Sequence, residues 1–164
     1  MAIVDALLPE YDHEIATTRK LLERVPEDKF DWKPHAKSMS LAALATHVAT
    51  ILWWGEMTLA QPHFDLEGAP PNPAASTRKE LLARFEKHAA ATRAALASKA
   101  DAEFMAPWSL KHGKQTFFTM PKATVWRTFV MNHMIHHRAQ LSVYLRMHDV
   151  PIPAMYGPSA DEAS

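Results

Sequence analysis

Apolar residues recur at a three-then-four spacing in four segments of the chain, and no segment keeps the two-residue alternation of a half-buried strand. This spacing lines apolar side chains along one face of an α-helix. The predicted helices run from Val4 to Leu22, from Ser40 to Ala60, from Thr77 to Leu96 and from Pro121 to Met147. The pattern therefore predicts an all-α fold, and helices of this number and length are typical of a four-helix bundle.

Capping residues and prolines set the predicted helix ends. Ser40 is a good N-cap, Thr77 and Glu80 form a capping-box pattern, and Pro26 and Pro62 follow helix ends. The connections at residues 25–39, 61–76 and 101–120 are longer than a simple bundle needs. We expect residues 61–76 to form a long crossover and residues 109–118 to form a short irregular hairpin that turns at His112-Gly113.

The composition excludes several classes of function. The length of 164 residues and the 48% hydrophobic content predict a single domain over residues 1–164. The 18 basic and 18 acidic residues cancel, so we expect no nucleic-acid or membrane-surface partner. Cysteine is absent, which excludes disulfides and thiolate catalysis and leaves histidine and carboxylate as metal ligands.

The N-terminus and the most apolar segment predict neither export nor a membrane span. Asp5 stands where a secretory signal has basic residues, and the apolar run that follows is short. Residues 41–60 are apolar, but they include His47 and Glu56, which are costly in lipid. We therefore expect a cytoplasmic protein.

The ten histidines of the chain differ in their placement. His133 and His137, four residues apart, share a helix face with Val130 and Leu141 and so point into the predicted bundle. Two imidazoles in this arrangement can bind one ion at about 2 Å; a hydrogen-bonded pair of core histidines is the alternative. The histidines that we expect to be exposed and without function are His13, His35, His63, His88, His112 and His148.

His47 completes a set of three inward-facing histidines. It shares a face of the second helix with Leu44, Ile51 and Trp54. Burying three unpartnered imidazoles is costly, and one divalent ion satisfies them together. A metal with three protein ligands keeps an open position, which is typical of catalytic sites. Imidazole suits zinc, nickel, iron and copper, of which we expect zinc or nickel, with iron as a further possibility.

His136 is the competing ligand, because it lies three residues after His133. It sits about 100° around the helix from His137, near the edge of the apolar face. We therefore predict that His136 is a half-buried packing residue and that His133 and His137 are the ligands.

The segment Asn132-His-Met-Ile-His-His-Arg-Ala-Gln-Leu141 resembles the signature of the DinB-like superfamily, Asn-His-any-any-His-His-Arg-Gly-Gln-Leu, with Ala139 in place of the usual glycine. The resemblance extends to residues 32–34, 40–47 and 156–162. It implies an up-down-down-up four-helix bundle that is often dimeric, with metal ligands at His47, His133 and His137. Some members are transferases or isomerases that use a low-molecular-weight thiol.

Three hypotheses for function follow. The favoured one is a metal-dependent enzyme, a small-thiol-dependent S-transferase with a small-molecule substrate, and a metal-dependent hydrolase is its nearest rival. The second is a non-catalytic metal-binding stress-response protein, and the third is a helical interaction module without metal. No general base is assigned, since we expect Glu56 to be exposed. Arg138 is predicted to form an interhelical or dimer salt bridge. Trp54 is a candidate cavity wall, although core packing is the preferred interpretation.

Overall fold

The computed structural model describes residues 2–162, which are mostly helical, as the periodicity predicts. Met1 and residues 163–164, which the predicted domain includes, lie outside the described residues. A 3₁₀ turn at Glu27–Lys29 follows the first helix, and a π-helical turn at Trp126–Met131 precedes the last. The α-helices are α1 (Ile3–Leu22), α2 (Leu41–Thr50), α3 (Leu52–Ala60), α4 (Arg78–Ala97), α5 (Asp101–Met105), α6 (Lys122–Val125) and α7 (Asn132–Arg146).

The fold is not all-α, because two of the long connections form a small sheet. Its strands are β1 (His63–Asp65), β2 (Pro107–His112) and β3 (Gln115–Pro121). β1 pairs with β2 in parallel, Phe64 opposite Leu110, and β2 pairs with β3 as an antiparallel hairpin. The hairpin is the one predicted for residues 109–118 but is longer; the strand β1, in the expected crossover, was not predicted. The strands are too short to give a sustained alternation, and β1 pairs with a strand that is distant in sequence.

The predicted capping residues begin their helices. The Ser40 hydroxyl accepts a hydrogen bond from the Ala43 amide at 3.2 Å, and the Thr77 hydroxyl accepts one from the Glu80 amide at 3.1 Å. The Glu80 carboxylate differs from the capping-box prediction, since it accepts from the amide of Ser76 at 2.9 Å rather than from Thr77. Both helices therefore have their first free backbone donors satisfied.

Two predicted helices are divided in the structure. The helix predicted from Ser40 to Ala60 is interrupted at Ile51, which keeps helical dihedral angles while the helix restarts as α3. The helix predicted from Pro121 begins at Lys122, because Pro121 ends β3, and it passes through the π-helical turn before α7. π-Helical turns are rare and frequently lie at functional sites.

The apolar faces of the long helices form one core. α1 and α2 each pack against both α4 and α7. Leu21, Leu44, Phe85 and Leu141 are among the residues that fill this core, each almost fully buried. A smaller cluster, Trp108, Leu110 and Val125, joins the sheet to α6. Within the described residues, no helix has the length and apolar character required to cross a membrane.

Candidate metal centre

The three histidines predicted from the apolar stripes come together between α2 and α7. His47 lies in the last turn of α2, and His133 and His137 occupy successive turns of α7. The neighbours that share their faces, Leu44 and Leu141, are at most 2% exposed, so packing fixes how the two helices face each other. The imidazoles are half-buried at the edge of this packed region.

The spacing of the three imidazoles suits one tetrahedral metal ion. One ligand nitrogen from each of His47, His133 and His137 lies within 4.8 Å of the others, and the Nε2 atoms of His47 and His133 are 3.2 Å apart. An ion bound at about 2.0–2.1 Å in tetrahedral geometry separates its ligand nitrogens by about 3.3 Å. The donor set therefore fits a divalent cation such as zinc. Among residues 2–162, no other group of histidine or acidic side chains is clustered in this way.

Burial keeps the three rings in the neutral form that a metal requires. Desolvation, followed by the proximity of His137 and His133, lowers the pKa of His47 to about 4. Desolvation also lowers the pKa of His133 and of His137, with a neighbouring histidine adding to each effect. Neutral imidazoles offer their lone pairs near neutral pH, so a cation does not compete with protons for this site.

Gln140 orients one of the rings, although the sequence prediction assigned it no role. Its Oε1 atom accepts a hydrogen bond from Nδ1 of His137 at 2.7 Å. The proton is then on Nδ1, and the lone pair of Nε2 is left for a metal. The signal that could have identified Gln140 is its position three residues after His137, on the same side of the helix.

The second ring nitrogen of His133, Nδ1, lies in a buried position, and the carbonyl that acts on this ring belongs to the π-helical turn. Nδ1 of His133 is buried and makes no hydrogen bond to a described residue. The Phe129 carbonyl, one turn earlier, is the neighbour that acts to raise the pKa of His133, against the lowering caused by desolvation and by His137.

An open cavity of about 290 Å³ adjoins His47. One wall is aromatic: Trp53, Trp54 and Phe64 pack edge to face with ring centroids 4.9–5.4 Å apart, and Trp53 and Trp54 line the cavity. Trp54 was a candidate cavity wall for which core packing was the preferred interpretation; it lines the cavity and also packs against the core. Residues 69–72 of the crossover also line the cavity, and the Asn72 amide donates to the Thr50 hydroxyl at 2.7 Å.

Three side chains that were predicted to be exposed, those of His88, Glu56 and His148, are half-buried. His88 on α4 lines the cavity, and its Nδ1 lies 2.7 Å from Oε1 of Glu56 on α3. Their side chains are only 16% and 21% exposed. His136, by contrast, was predicted to be half-buried and is exposed, with its ring 4.9 Å from that of His137.

Arg138 makes the interhelical salt bridge that was one of its two predicted roles, and it is buried rather than on the surface. Its guanidinium is 1% exposed and lies 2.7 Å from the Glu14 carboxylate of α1. The Tyr156 hydroxyl donates to the same carboxylate at 2.8 Å. The signature arginine and Tyr156 of the closing segment therefore meet at one buried carboxylate, that of Glu14.

Comparison with known proteins identifies the family. The model of the DinB family matches residues 4–164. The chain belongs to the DinB family. This confirms the resemblance drawn from residues 132–141. None of the curated proteins compared with the chain matches it.

Two solved structures show that the DinB fold extends over nearly the whole chain. A DinB-like protein from Bacillus cereus is 20% identical, with a TM-score of 0.72 over 94% of this chain and 98% of that one. A DinB-like protein from Bacillus subtilis is 17% identical, with a TM-score of 0.69 over 92% of this chain and 96% of that one. At this identity the likeness concerns the fold, and the chemistry must be argued from the side chains.

Proposed function

We propose that this DinB family chain is a metal-dependent enzyme that transfers a small thiol to an organic electrophile. His47, His133 and His137 are the proposed ligands of one zinc or nickel ion. The observation that carries the proposal is the cluster of three ligand nitrogens within 4.8 Å, beside an open cavity that His47 lines. Within residues 2–162 the cluster consists of these three side chains, so an ion that they bind would keep one position open for a substrate.

A divalent ion in this position would lower the pKa of a bound thiol or water and so supply a nucleophile at neutral pH. The chain's own residues contribute orientation and a binding surface. Gln140 holds the His137 ring with Nε2 free, and the aromatic wall formed by Trp53 and Trp54 offers a flat apolar surface to the electrophile. The aromatic wall suits the organic substrate of either reaction, and the thiol-dependent reaction is favoured because some members of the superfamily that the sequence resembles use a low-molecular-weight thiol.

Metal content is the first test. The protein is purified without a nickel column and analysed by elemental mass spectrometry beside His47→Ala, His133→Ala and His136→Ala. We expect about one ion per chain in the parent, since three imidazoles bind one tetrahedral ion. We expect the ion to be lost in His47→Ala and His133→Ala but to be kept in His136→Ala, the matched control on α7. A parent that takes up neither zinc nor nickel on dialysis would refute the proposal.

Turnover separates the enzyme from its rivals. The metal-loaded protein is given cysteine with monochlorobimane, which becomes fluorescent when its carbon–chlorine bond is replaced by a carbon–sulfur bond, and separately a chromogenic ester. Thiol conjugation that requires His47 supports the transferase. Ester hydrolysis alone supports the hydrolase, and tight metal binding without either reaction supports a non-catalytic metal-binding role in stress responses.

The proposal includes an assembly and a location. We propose an up-down-down-up arrangement of the four long helical segments, a homodimer and a cytoplasmic protein. The support for a dimer is exposed apolar surface at the end of the last helix. Val143 in this helix is 59% exposed, and Met147, the residue directly after the helix, is 57% exposed. Sedimentation equilibrium tests the dimer, and a monomer at all concentrations would contradict it.

A further inference from the structure

His88 and Glu56 form a second cluster of titratable groups at the cavity. His88 lies on α4 and Glu56 on α3, so their hydrogen bond at 2.7 Å joins two helices outside the α2–α7 pair that carries the candidate ligands. His47 and His88 line the same cavity. An imidazole that is held by a carboxylate therefore faces the space that a substrate of the metal centre would enter.

We propose that His88 is the catalytic base of this enzyme and that Glu56 is the residue that positions it. The inference rests on the proposed function and deepens it, because it assigns the proton acceptor for the thiol. Since the Glu56 carboxylate accepts from Nδ1 of His88, Nε2 of the neutral ring keeps its lone pair. Nε2 makes no hydrogen bond to any residue from 2 to 162 and is free to take a proton.

A purely structural role explains this pair poorly. The α3–α4 packing already has a buried hydrogen bond, from the Thr92 hydroxyl to the Leu52 carbonyl at 2.7 Å. The contact between these two helices therefore does not depend on the His88–Glu56 hydrogen bond alone. Every other salt bridge among the described residues uses lysine or arginine. Only Glu56 pairs with histidine, the residue type suited to proton transfer near neutral pH.

The step conserves atoms and charge. Nε2 of His88 takes the proton as the S–H bond of the thiol breaks, and the sulfur electron pair forms a bond to the electrophilic carbon. The bond from that carbon to its leaving group breaks, and the leaving group departs with the electron pair. The imidazolium, stabilised by the Glu56 carboxylate, then returns the proton to solvent.

The cavity also indicates the class of electrophile. Trp53 and Trp54 line the same cavity as His47 and His88. A flat, uncharged organic group packs on such a surface, whereas a charged phosphate would meet no lysine or arginine among the cavity-lining residues. We therefore infer an aromatic or otherwise planar electrophile that carries a leaving group.

The test compares zinc-loaded parent protein with His88→Gln, Glu56→Gln and, as a control, His112→Gln, which changes an exposed histidine on the hairpin. Metal content, kcat and KM are measured with cysteine and monochlorobimane. We expect His88→Gln to lower kcat by about 10²–10⁴-fold with KM and metal content nearly unchanged. We expect a smaller loss of kcat in Glu56→Gln, and none in His112→Gln.

Nitrogen NMR of the imidazole rings gives a readout that does not depend on turnover. We expect the His88 proton on Nδ1 in the parent and a mixture of tautomers in Glu56→Gln, because an amide no longer imposes one hydrogen-bond direction. A parent ring protonated on Nε2 would overturn the positioning role of Glu56. A structural role alone would not couple the tautomer to kcat.

The outcomes separate this inference from the proposed function. If the parent conjugates the thiol and His88→Gln retains its kcat, the base assignment is wrong and the proposed function stands. If His88→Gln loses its metal, His88 is a ligand and the assignment is also wrong. If the metal-loaded parent shows no turnover with any thiol and planar electrophile, both proposals fail together.

Discussion

Replacing Glu14 by Gln tests the buried ion pair that joins α1 to α7. The side chains of Arg138 and Glu14 are 1% and 6% exposed, and their charged groups lie 2.7 Å apart. The substitution keeps the shape of residue 14, removes its charge and replaces one acceptor oxygen by an amide donor. The Arg138 guanidinium cannot lose its proton, so it stays charged in the core without a counter-ion. The variant therefore removes the counter-charge of Arg138 without opening a cavity.

The expected loss follows from what remains around Arg138. Removing one partner of a buried ion pair costs about 3–5 kcal/mol. The guanidinium keeps the Thr18 hydroxyl at 3.1 Å and the Glu14 carbonyl at 3.2 Å as acceptors, so the low end applies. We expect Glu14→Gln to lower the free energy of unfolding by about 3 kcal/mol and Tm by about 6–12 °C. Arg138→Met should cost less, because a buried carboxylate can take up a proton.

Urea and thermal unfolding, followed by circular dichroism in the presence of a chelator, measure these losses without a contribution from metal. The matched control is Glu86→Gln. Glu86 lies on α4, and its exposed carboxylate pairs with Arg19 of α1. Those side chains are 43% and 47% exposed, so the expected loss is below about 1 kcal/mol. If Glu14→Gln and Glu86→Gln lose the same stability, the argument from burial is wrong.

Three further predictions concern the metal centre and the helix packing. Gln140→Ala should weaken zinc binding about 10–100-fold in competition with a chelating dye, because the His137 ring loses its orienting partner; unchanged affinity would contradict this role. Since the pKa of His47 falls from 6.5 unfolded to about 4 folded, the folded chain binds fewer protons between these values. The free energy of unfolding of the metal-free protein should therefore fall by about 1–2 kcal/mol, after allowance for partial exposure, as the pH is lowered through this window. Urea titrations at several pH values measure this dependence, and His47→Gln should make it weaker. Gly55→Ala should lower the free energy of unfolding by about 1–3 kcal/mol in the same assay, because the added methyl group would lie 2.8 Å from Cγ2 of buried Thr92. An unchanged free energy of unfolding would show that α3 and α4 separate easily.

Local sequence information was sufficient to locate the four long helical segments and to place the three candidate ligands on inward faces, but not to predict the division of two of these segments or the short helix α5. Helix periodicity depends on residues three and four apart, and caps depend on residues three apart, so Ser40 and Thr77 were identified as N-caps without tertiary contacts. The same periodicity placed His47, His133 and His137 on inward faces. An inward histidine on each of two packed helices has few directions in which to point, which is why the three rings could be expected to meet.

The sheet needed information that no short window contains. β2 does alternate, with Trp108 and Leu110 buried, but over six residues this pattern is too brief to decide against a loop. β1 has three residues and exists because the crossover brings Phe64 beside Leu110. Its hydrogen bonds therefore depend on where the chain returns after α3, which only the tertiary structure decides.

The cavity and its second titratable pair were likewise decided by the tertiary structure. On α4, the buried face runs through Phe85, Ala89 and Thr92, and His88 lies at its edge, where periodicity does not separate exposed from half-buried positions. Glu56 precedes His88 by 32 residues. The distance between them depends on the rotation of α3 against α4, which is set by the close packing of Gly55 on Thr92. Sequence determined which residue types were available, and helix packing determined that a carboxylate would hold an imidazole at the wall of the cavity.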